Sequence, residues 1–202
     1  PAAARAKIAE YFADIPRQAP PAAPVNAEPE QRGERRVEVR YPAETETFMA
    51  GYKAPGVKSA DVYVLDVIAS ILSAGESSRL HQALVYEKPM ALAVSGDFQT
   101  RLEPGLFECF VQMKPGRTAR EGEVALDSVL RAFTEEGPTP RELQKAKNLL
   151  EARFITQLKT NNGVGQALGY YEHVFGDYRN MFQAIDRYRA VTAADCQRVA
   201  ME

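Results

Sequence analysis

The order in which strand-like and helix-like segments follow one another is the feature that most constrains the fold of this chain. Residues 47–52 and 106–113 place apolar side chains on one face, as half-buried strands do, and residues 91–98 form a further strand that turns back at 103–105. Beyond residue 118 the apolar residues recur at helical spacing. Strands and helices that segregate in this way predict an α+β domain, an antiparallel-dominated sheet with helices packed on one face.

The helices between these strands have recognisable ends. Ser59 is a suitable N-cap for a helix that runs up to Gly75, and Ser77 can cap a short second helix to about Glu87. A later segment, residues 139–142, reads Thr-Pro-Arg-Glu, which combines an N-cap, a proline in the first turn and a glutamate that can return to the cap. We therefore predict a strong helix start at this point.

The first 33 residues differ from the rest of the chain. Residues 2–15 are alanine-rich and read as the end of a helix, and the prolines between residues 16 and 33 predict an extended linker. We predict a helix remnant and Pro-rich interdomain linker over residues 1–33, and one α+β domain over residues 34–202 whose first strand is residues 36–41. A helix remnant before a linker leads us to expect another domain upstream.

Composition excludes several classes of partner. The formal net charge is −2 over 202 residues, so neither nucleic acid nor an anionic membrane is indicated. Glycine, proline and charged residues interrupt every apolar run before the roughly 18 residues of a membrane span. Cys109 and Cys196 form no CxxC pair, and we expect two small buried apolar residues, with a disulfide as the alternative. Periplasm and cytoplasm both stay open as compartments.

The sequence lacks the metal-binding motifs of a zinc hydrolase. A catalytic zinc requires three protein ligands and an open position for water. The chain has two histidines, His81 and His173, and they lie far apart with neither an HxxEH nor an HExxH motif. No GxSxG elbow and no nucleotide-binding glycine motif occurs either. We therefore assign no catalytic residue and no metal ligand to this chain.

Three residues of the second predicted helix are candidates for binding a substrate. Arg79 and Tyr86 lie seven positions apart, about two helical turns, so their side chains share a face, and Ser78 precedes them. Such a set could hydrogen-bond the main chain of a peptide. The alternative interpretation is structural, with Arg79 in a local salt bridge and Tyr86 packed at the helix end.

The run of residues 75–88, Gly-Glu-Ser-Ser-Arg-Leu-His-Gln-Ala-Leu-Val-Tyr-Glu-Lys, resembles a block of the pitrilysin/insulinase-like zinc metallopeptidases. Residues 51–55 and 139–143 are similar to further family segments in the same order. The resemblance implies a metallopeptidase-like (LuxS/processing-peptidase-like) domain. Since the metal motif is absent, it also implies the C-terminal, inactive domain, with zinc held by a missing N-terminal domain.

The function implied by this resemblance is non-catalytic. Such a domain forms half of a substrate chamber and binds peptide for the metal-bearing domain. The alternative is an assembly domain like the processing-peptidase-like core subunits of respiratory complexes. The family's own Arg and Tyr grip would fall at Val85 and Leu92, where it is absent, so a second peptidase-like subunit is a further expected partner.

Overall fold

The computed structural model describes residues 2–19 and 31–202. The chain divides into two compact units, Pro1–Tyr41 and Pro42–Glu202, and each is described by itself. In the first unit, helix α1 covers Ala2–Phe12 and its side chains are exposed. Most of the predicted linker, residues 20–30, lies outside the described residues. The predicted domain boundary at residue 34 stays a prediction.

The strand predicted at residues 36–41 is wrong. These residues have no regular secondary structure, and Val37, Val39 and Tyr41 are more than four-fifths exposed. An alternating pattern becomes a strand only when a neighbour supplies hydrogen bonds and a surface for its apolar face. Among the residues that the structure describes, this segment has no such neighbour.

The second unit contains a small sheet and a larger set of helices, which confirms the α+β prediction. Its strands are β1 (Thr47–Ala54), β2 (Ala91–Phe98) and β3 (Gly105–Met113). Its α-helices are α2 (Val62–Ser73), α3 (Arg79–His81), α4 (Ala119–Glu136), α5 (Pro140–Gln157), α6 (Asn161–Phe175), α7 (Ala184–Ala190) and α8 (Ala193–Met201). A π-helical turn, Gln82–Glu87, follows α3, and a 3₁₀ helix, Tyr178–Gln183, precedes α7.

The sheet is antiparallel with the strand order β1-β3-β2. On β3 the side chains of Phe107, Cys109, Val111 and Met113 are all buried, as their alternation predicts. The helices cover this face, whereas the opposite face carries the exposed Leu106 and Glu108. The sheet therefore has one face in the core and one face free of helices within this unit.

Local sequence signals fix the starts of several helices. Complete capping boxes begin three helices: Thr118 with Glu121 opens α4, and Thr139 with Glu142 opens α5. The third opens α8. In each, the threonine hydroxyl accepts from the backbone N–H of the acidic residue three positions later, whose carboxylate accepts from the threonine N–H. The strong helix start predicted at residues 139–142 is confirmed.

The core forms between the sheet and α2, most of whose residues are buried. Both cysteines are buried and free, which confirms their prediction as small apolar residues. Burial raises the pKa of the Cys109 thiol to about 12 and that of Cys196 to about 11, so neither forms a thiolate readily. Among the described helices, none has the length and apolar character of a membrane span.

Candidate functional site

The structure separates the three residues that the sequence singled out. Ser78 is 1% exposed and its hydroxyl has no hydrogen-bond partner. Arg79 is turned inward, and Tyr86, in the π-helical turn, is 73% exposed. None of the three lines the large cavity described below. Their role in binding a peptide stays a prediction.

Arg79 connects the start of α3 to the capping box of α5. Its Nε and one terminal nitrogen donate to the two carboxylate oxygens of Glu142 at 2.7 and 2.9 Å, and the latter nitrogen also lies 2.8 Å from the carbonyl oxygen of Gly137. The guanidinium lies over the ring of Phe133. Hydrogen bonding to Arg79 lowers the pKa of Glu142 to about 2. This geometry corresponds to the structural interpretation of Arg79.

The residues present do not fit a zinc site. Within residues 2–19 and 31–202, no group of three His, Cys, Asp or Glu side chains could hold a metal ion. His81 is half-buried with its Nδ1 unpartnered, and His173 lies exposed on α6. No step of hydrolysis is therefore assigned to residues of this chain.

A cavity of about 960 Å³ lies beside the end of β2. The polar side of α2 forms one wall, and α5 forms another. The aromatic residues of α6 and one tyrosine of α7 close one end. The remaining side is the last part of β2 and the residues that follow it, Gly96 to Thr100. Five elements that are distant in the sequence therefore meet at one opening.

The floor of the cavity is polar and incompletely satisfied. Asp66 Oδ2 accepts a hydrogen bond from the Tyr188 hydroxyl at 2.6 Å. Ser70, one turn further along α2, is buried with a hydroxyl that has no partner. Ser73 donates to the carbonyl oxygen of Gly96 at 2.7 Å, which ties α2 to β2. Burial raises the pKa of the Asp66 carboxyl to about 6 because the charged form loses its hydration.

Aromatic rings form much of the remaining lining. Tyr171 packs edge-on against Phe154 of α5 and against its neighbour Tyr170. The Tyr170 hydroxyl donates to the carbonyl oxygen of Thr100 at 3.3 Å, which connects α6 to the segment after β2. At the rim, Arg153 of α5 is exposed. The cavity thus combines the carboxylates of Asp66 and Asp97 with hydroxyl groups and aromatic walls.

Sequence reasoning missed Asp66, although one signal was available. Asp66 is the sole charged residue of α2, a helix whose other residues are apolar apart from two serines. A lone charge among buried neighbours is costly and needs a partner or a purpose. Its neighbours Tyr188 and Tyr171 lie more than 100 residues away in sequence, so spacing gave no indication that they meet.

Comparison with known proteins matches the sequence to a family. A family profile described as the peptidase M16 inactive domain matches residues 1–150. An uncharacterized zinc protease of Mycobacterium leprae is 27% identical over 158 residues, which is 78% of this chain and 35% of that protein. The zinc protease PqqE of Helicobacter pylori is 27% identical over 186 residues, 89% of this chain and 40% of that protein. The chain thus spans two-fifths or less of these relatives.

Solved structures share the fold over most of the described chain. A candidate zinc protease from Bordetella pertussis is 31% identical with a TM-score of 0.70, covering 79% of this chain and 87% of that one. The inactive peptidase domain of a Bordetella parapertussis protein is 30% identical with a TM-score of 0.71, covering 81% and 88%. A chain of complex III from Candida albicans has a TM-score of 0.69 at 12% identity, covering 79% and 40%, a likeness of fold alone.

Proposed function

Because this chain belongs to the family of peptidase M16 inactive domains, we propose that it forms one wall of the substrate chamber of a zinc metalloendopeptidase and binds an extended peptide there. The metal and the hydrolytic residues would belong to a separate, metal-bearing domain. Relatives longer than this chain and named as zinc proteases support that division of roles.

The observation that carries the proposal is the free edge of β2. This strand bonds to β3 on one side, and in the described part of the chain no strand pairs with its other side. A free edge presents unpaired N–H and C=O groups to which an extended peptide can add as a further strand. The other outer strand of the sheet is β1, but the cavity lies at the end of β2 and offers space for the side chains of an added strand.

The helix-free face of the sheet supports the chamber role. Met49 and Leu106 on this face are 63% and 46% exposed, and the half-buried Phe110 pairs with Met49. Exposed apolar side chains mixed with the carboxylates of Asp97 and Glu108 suit unfolded peptides of varied sequence better than one specific ligand. In this proposal the chain excludes water from the peptide and holds it extended, while main-chain bonds at the edge give sequence-independent affinity.

The assembly role is the less supported alternative. The relatives that are at least 25% identical to this chain and are reported above are named as zinc proteases or as a peptidase domain. The complex III chain shares the fold at 12% identity. No feature of the described surface favours assembly over peptide binding.

A titration with N-methylated peptides tests the proposal. Strand addition uses the N–H groups of alternate peptide residues. Methyl groups on two adjacent residues therefore block both pairing registers, whereas methyl groups on residues i and i+2 leave one register intact. We expect the adjacent pair to weaken binding about tenfold or more and the spaced pair to change it about twofold. Equal loss for both peptides, or no binding of the unmodified peptide, would overturn the proposal.

Amide hydrogen exchange locates the bound peptide. We expect bound peptide to slow exchange in residues 91–100, around the β2 edge. The β1 edge, residues 47–54, is the internal control and should exchange at the same rate with and without peptide. Protection confined to β1 would contradict the assignment of the site to β2.

A further inference from the structure

We propose that the cavity beside β2 receives a basic side chain, arginine or lysine, of the bound peptide. The inference rests on the proposed function, because it concerns the side-chain preference of that same site. It defines a substrate class: extended peptides that carry a positive charge at the position facing the cavity.

A peptide strand added at the β2 edge would point its side chains in directions that β2 already fixes. Gly96 pairs with Cys109 and Phe98 pairs with Phe107, so both lie on the helix-covered face of the sheet. Successive side chains of a strand alternate between the two faces. Every second side chain of a peptide on the β2 edge would therefore point to the side where α2, α5 and α6 surround the cavity.

The polar groups at the floor of the cavity have unused hydrogen-bonding capacity. Asp66 accepts one hydrogen bond, from Tyr188, and no other donor within the described residues reaches its carboxylate. Ser70 lies one helical turn away on the same side of α2, and its buried hydroxyl has no partner. A half-buried carboxylate and a buried hydroxyl in this state are costly unless a ligand bonds to them. A guanidinium or ammonium group supplies both the donors and the opposite charge.

The aromatic lining suits the aliphatic stem of a basic side chain. Phe154, Tyr170 and Tyr171 line the cavity with their rings in mutual contact. Long basic side chains bury their aliphatic stems against apolar walls while the charged group bonds at the end. Aromatic faces also attract a cation directly. The lining therefore favours arginine or lysine over a short polar side chain.

The charges of the cavity argue against the opposite possibility, an anionic ligand held by Arg153. Lys145 donates to the carbonyl oxygen of Ala74 and to the Ser77 hydroxyl, so its ammonium group is already engaged. Arg153 is exposed at the rim, whereas Asp66 is largely withdrawn from water at the floor. An anion that entered the cavity would meet the Asp66 carboxylate. The floor thus favours a cation.

Protonation of Asp66 gives the inference a pH signature. Burial raises the pKa of Asp66 to about 6, and the nearby Asp97 acts in the same direction, whereas the Tyr188 hydrogen bond and the Arg153 charge act against it. A bound cation needs the ionised carboxylate, so selectivity for a basic peptide should be full above this pKa and fade as the pH falls through it. The other titratable groups near this carboxyl are Tyr63, Tyr170, Tyr171 and, beyond Tyr63, Arg187.

The test compares two peptides that differ in one group. One is a peptide of about ten serine, threonine and valine residues with a single central arginine, and the other carries citrulline, which has the same shape without the charge. We expect the arginine peptide to bind about tenfold more tightly at pH 7.5. In Asp66→Asn the ratio should fall to about one, and in Ser70→Ala it should fall in part. Asp127→Asn makes the same change at an exposed position of α4 outside the cavity. It is the control and should keep the tenfold ratio of affinities.

The outcomes separate this inference from the proposed function. Equal binding of both peptides to the wild-type chain would overturn the inference and leave strand addition intact, whereas binding of neither would overturn both. Tighter binding of a glutamate peptide, lost in Arg153→Gln, would show an anion site instead. If Asp66→Asn fails to fold, the pH dependence of the wild-type chain provides the test. The ratio of its affinities for the arginine and citrulline peptides should approach one as the pH falls from 7.5 to 5, and a constant ratio would contradict the role of Asp66.

Discussion

Glu142 and Asp66 are both withdrawn in part from water, and their pKa values move in opposite directions. Arg79 donates two hydrogen bonds to Glu142, and these lower the pKa of that carboxyl to about 2. Asp66 has one neutral donor, Tyr188, and burial raises its pKa to about 6. A carboxylate that receives its hydrogen bonds from within the fold stabilises the fold. A carboxylate that lacks some of these donors is available to a ligand.

Asp66→Asn should stabilise the protein at neutral pH. The pKa of Asp66 is raised above its ordinary value of 3.8, so the folded state holds the proton more tightly and wild-type stability falls as the pH rises from about 4 to about 6. The variant lacks this titration. We expect its advantage in unfolding free energy to grow from near zero at pH 4 to at most about 3 kcal/mol at pH 7, measured by urea unfolding. An advantage that is independent of pH would contradict this account.

Arg79→Lys should destabilise the fold without changing peptide affinity. Lysine cannot reproduce the paired bonds to Glu142, so we expect a loss of about 1–2 kcal/mol. Because the pKa of Glu142 is lowered, this stabilisation is present above pH 4.5 and disappears as the pH falls toward 2. Urea unfolding and peptide titration measure the two effects, with Arg141→Lys on the exposed side of α5 as control. A fall in peptide affinity at unchanged stability would instead support the substrate-binding role predicted for Arg79.

At the scale of elements, local signals decided what the sequence could predict. The capping residues of α5 and the alternation in β3 act within a few residues, so both were predicted correctly. The helix predicted up to Glu87 becomes π-helical from Gln82 onward, a change that depends on packing and has no local signal. Residues 36–41 carry a strand pattern, but no strand among the described residues pairs with this segment, and no local signal reveals this.

The start of α6 depends on a close approach that only glycine permits. A Cβ atom at Gly163 would overlap the carbonyl oxygen of Gln157, a backbone atom at the end of α5. We expect Gly163→Ala to destabilise by about 2–3 kcal/mol and to weaken peptide binding, because α6 supplies Tyr170 and Tyr171 to the cavity.

Gly165→Ala is the matched control in the same helix. A Cβ atom at Gly165 meets nothing within 4 Å, so alanine should stabilise by about 0.5–1 kcal/mol through its higher helix propensity. Thermal unfolding of the two variants measures the difference. Similar effects at both positions would show that the contact with Gln157 does not hold α6 in place.

At the scale of the whole molecule, the candidate site depends on long-range packing. The sequence could provide the class of fold and, through its resemblance to a family, the inactive-domain assignment. It could not bring Asp66 of α2 to Tyr188 of α7, because that contact follows from how the helices pack over the sheet. The position of β2 at the edge of the described sheet likewise follows from the strand order, which places β3 in the centre. A site built from five elements becomes visible only once they are assembled.

The division of the chain into two units predicts that residues 42–202 fold alone. No described residue before residue 54 is buried, so every buried residue among those described lies in the second unit. We expect a chain of residues 42–202 to unfold cooperatively in urea with a free energy within about 0.5 kcal/mol of the full chain. A chain of residues 34–202, cut at the boundary predicted from sequence, is the matched comparison. If it were the more stable of the two, residues 36–41 would contribute to the fold, and if neither folded, the core would need the first unit.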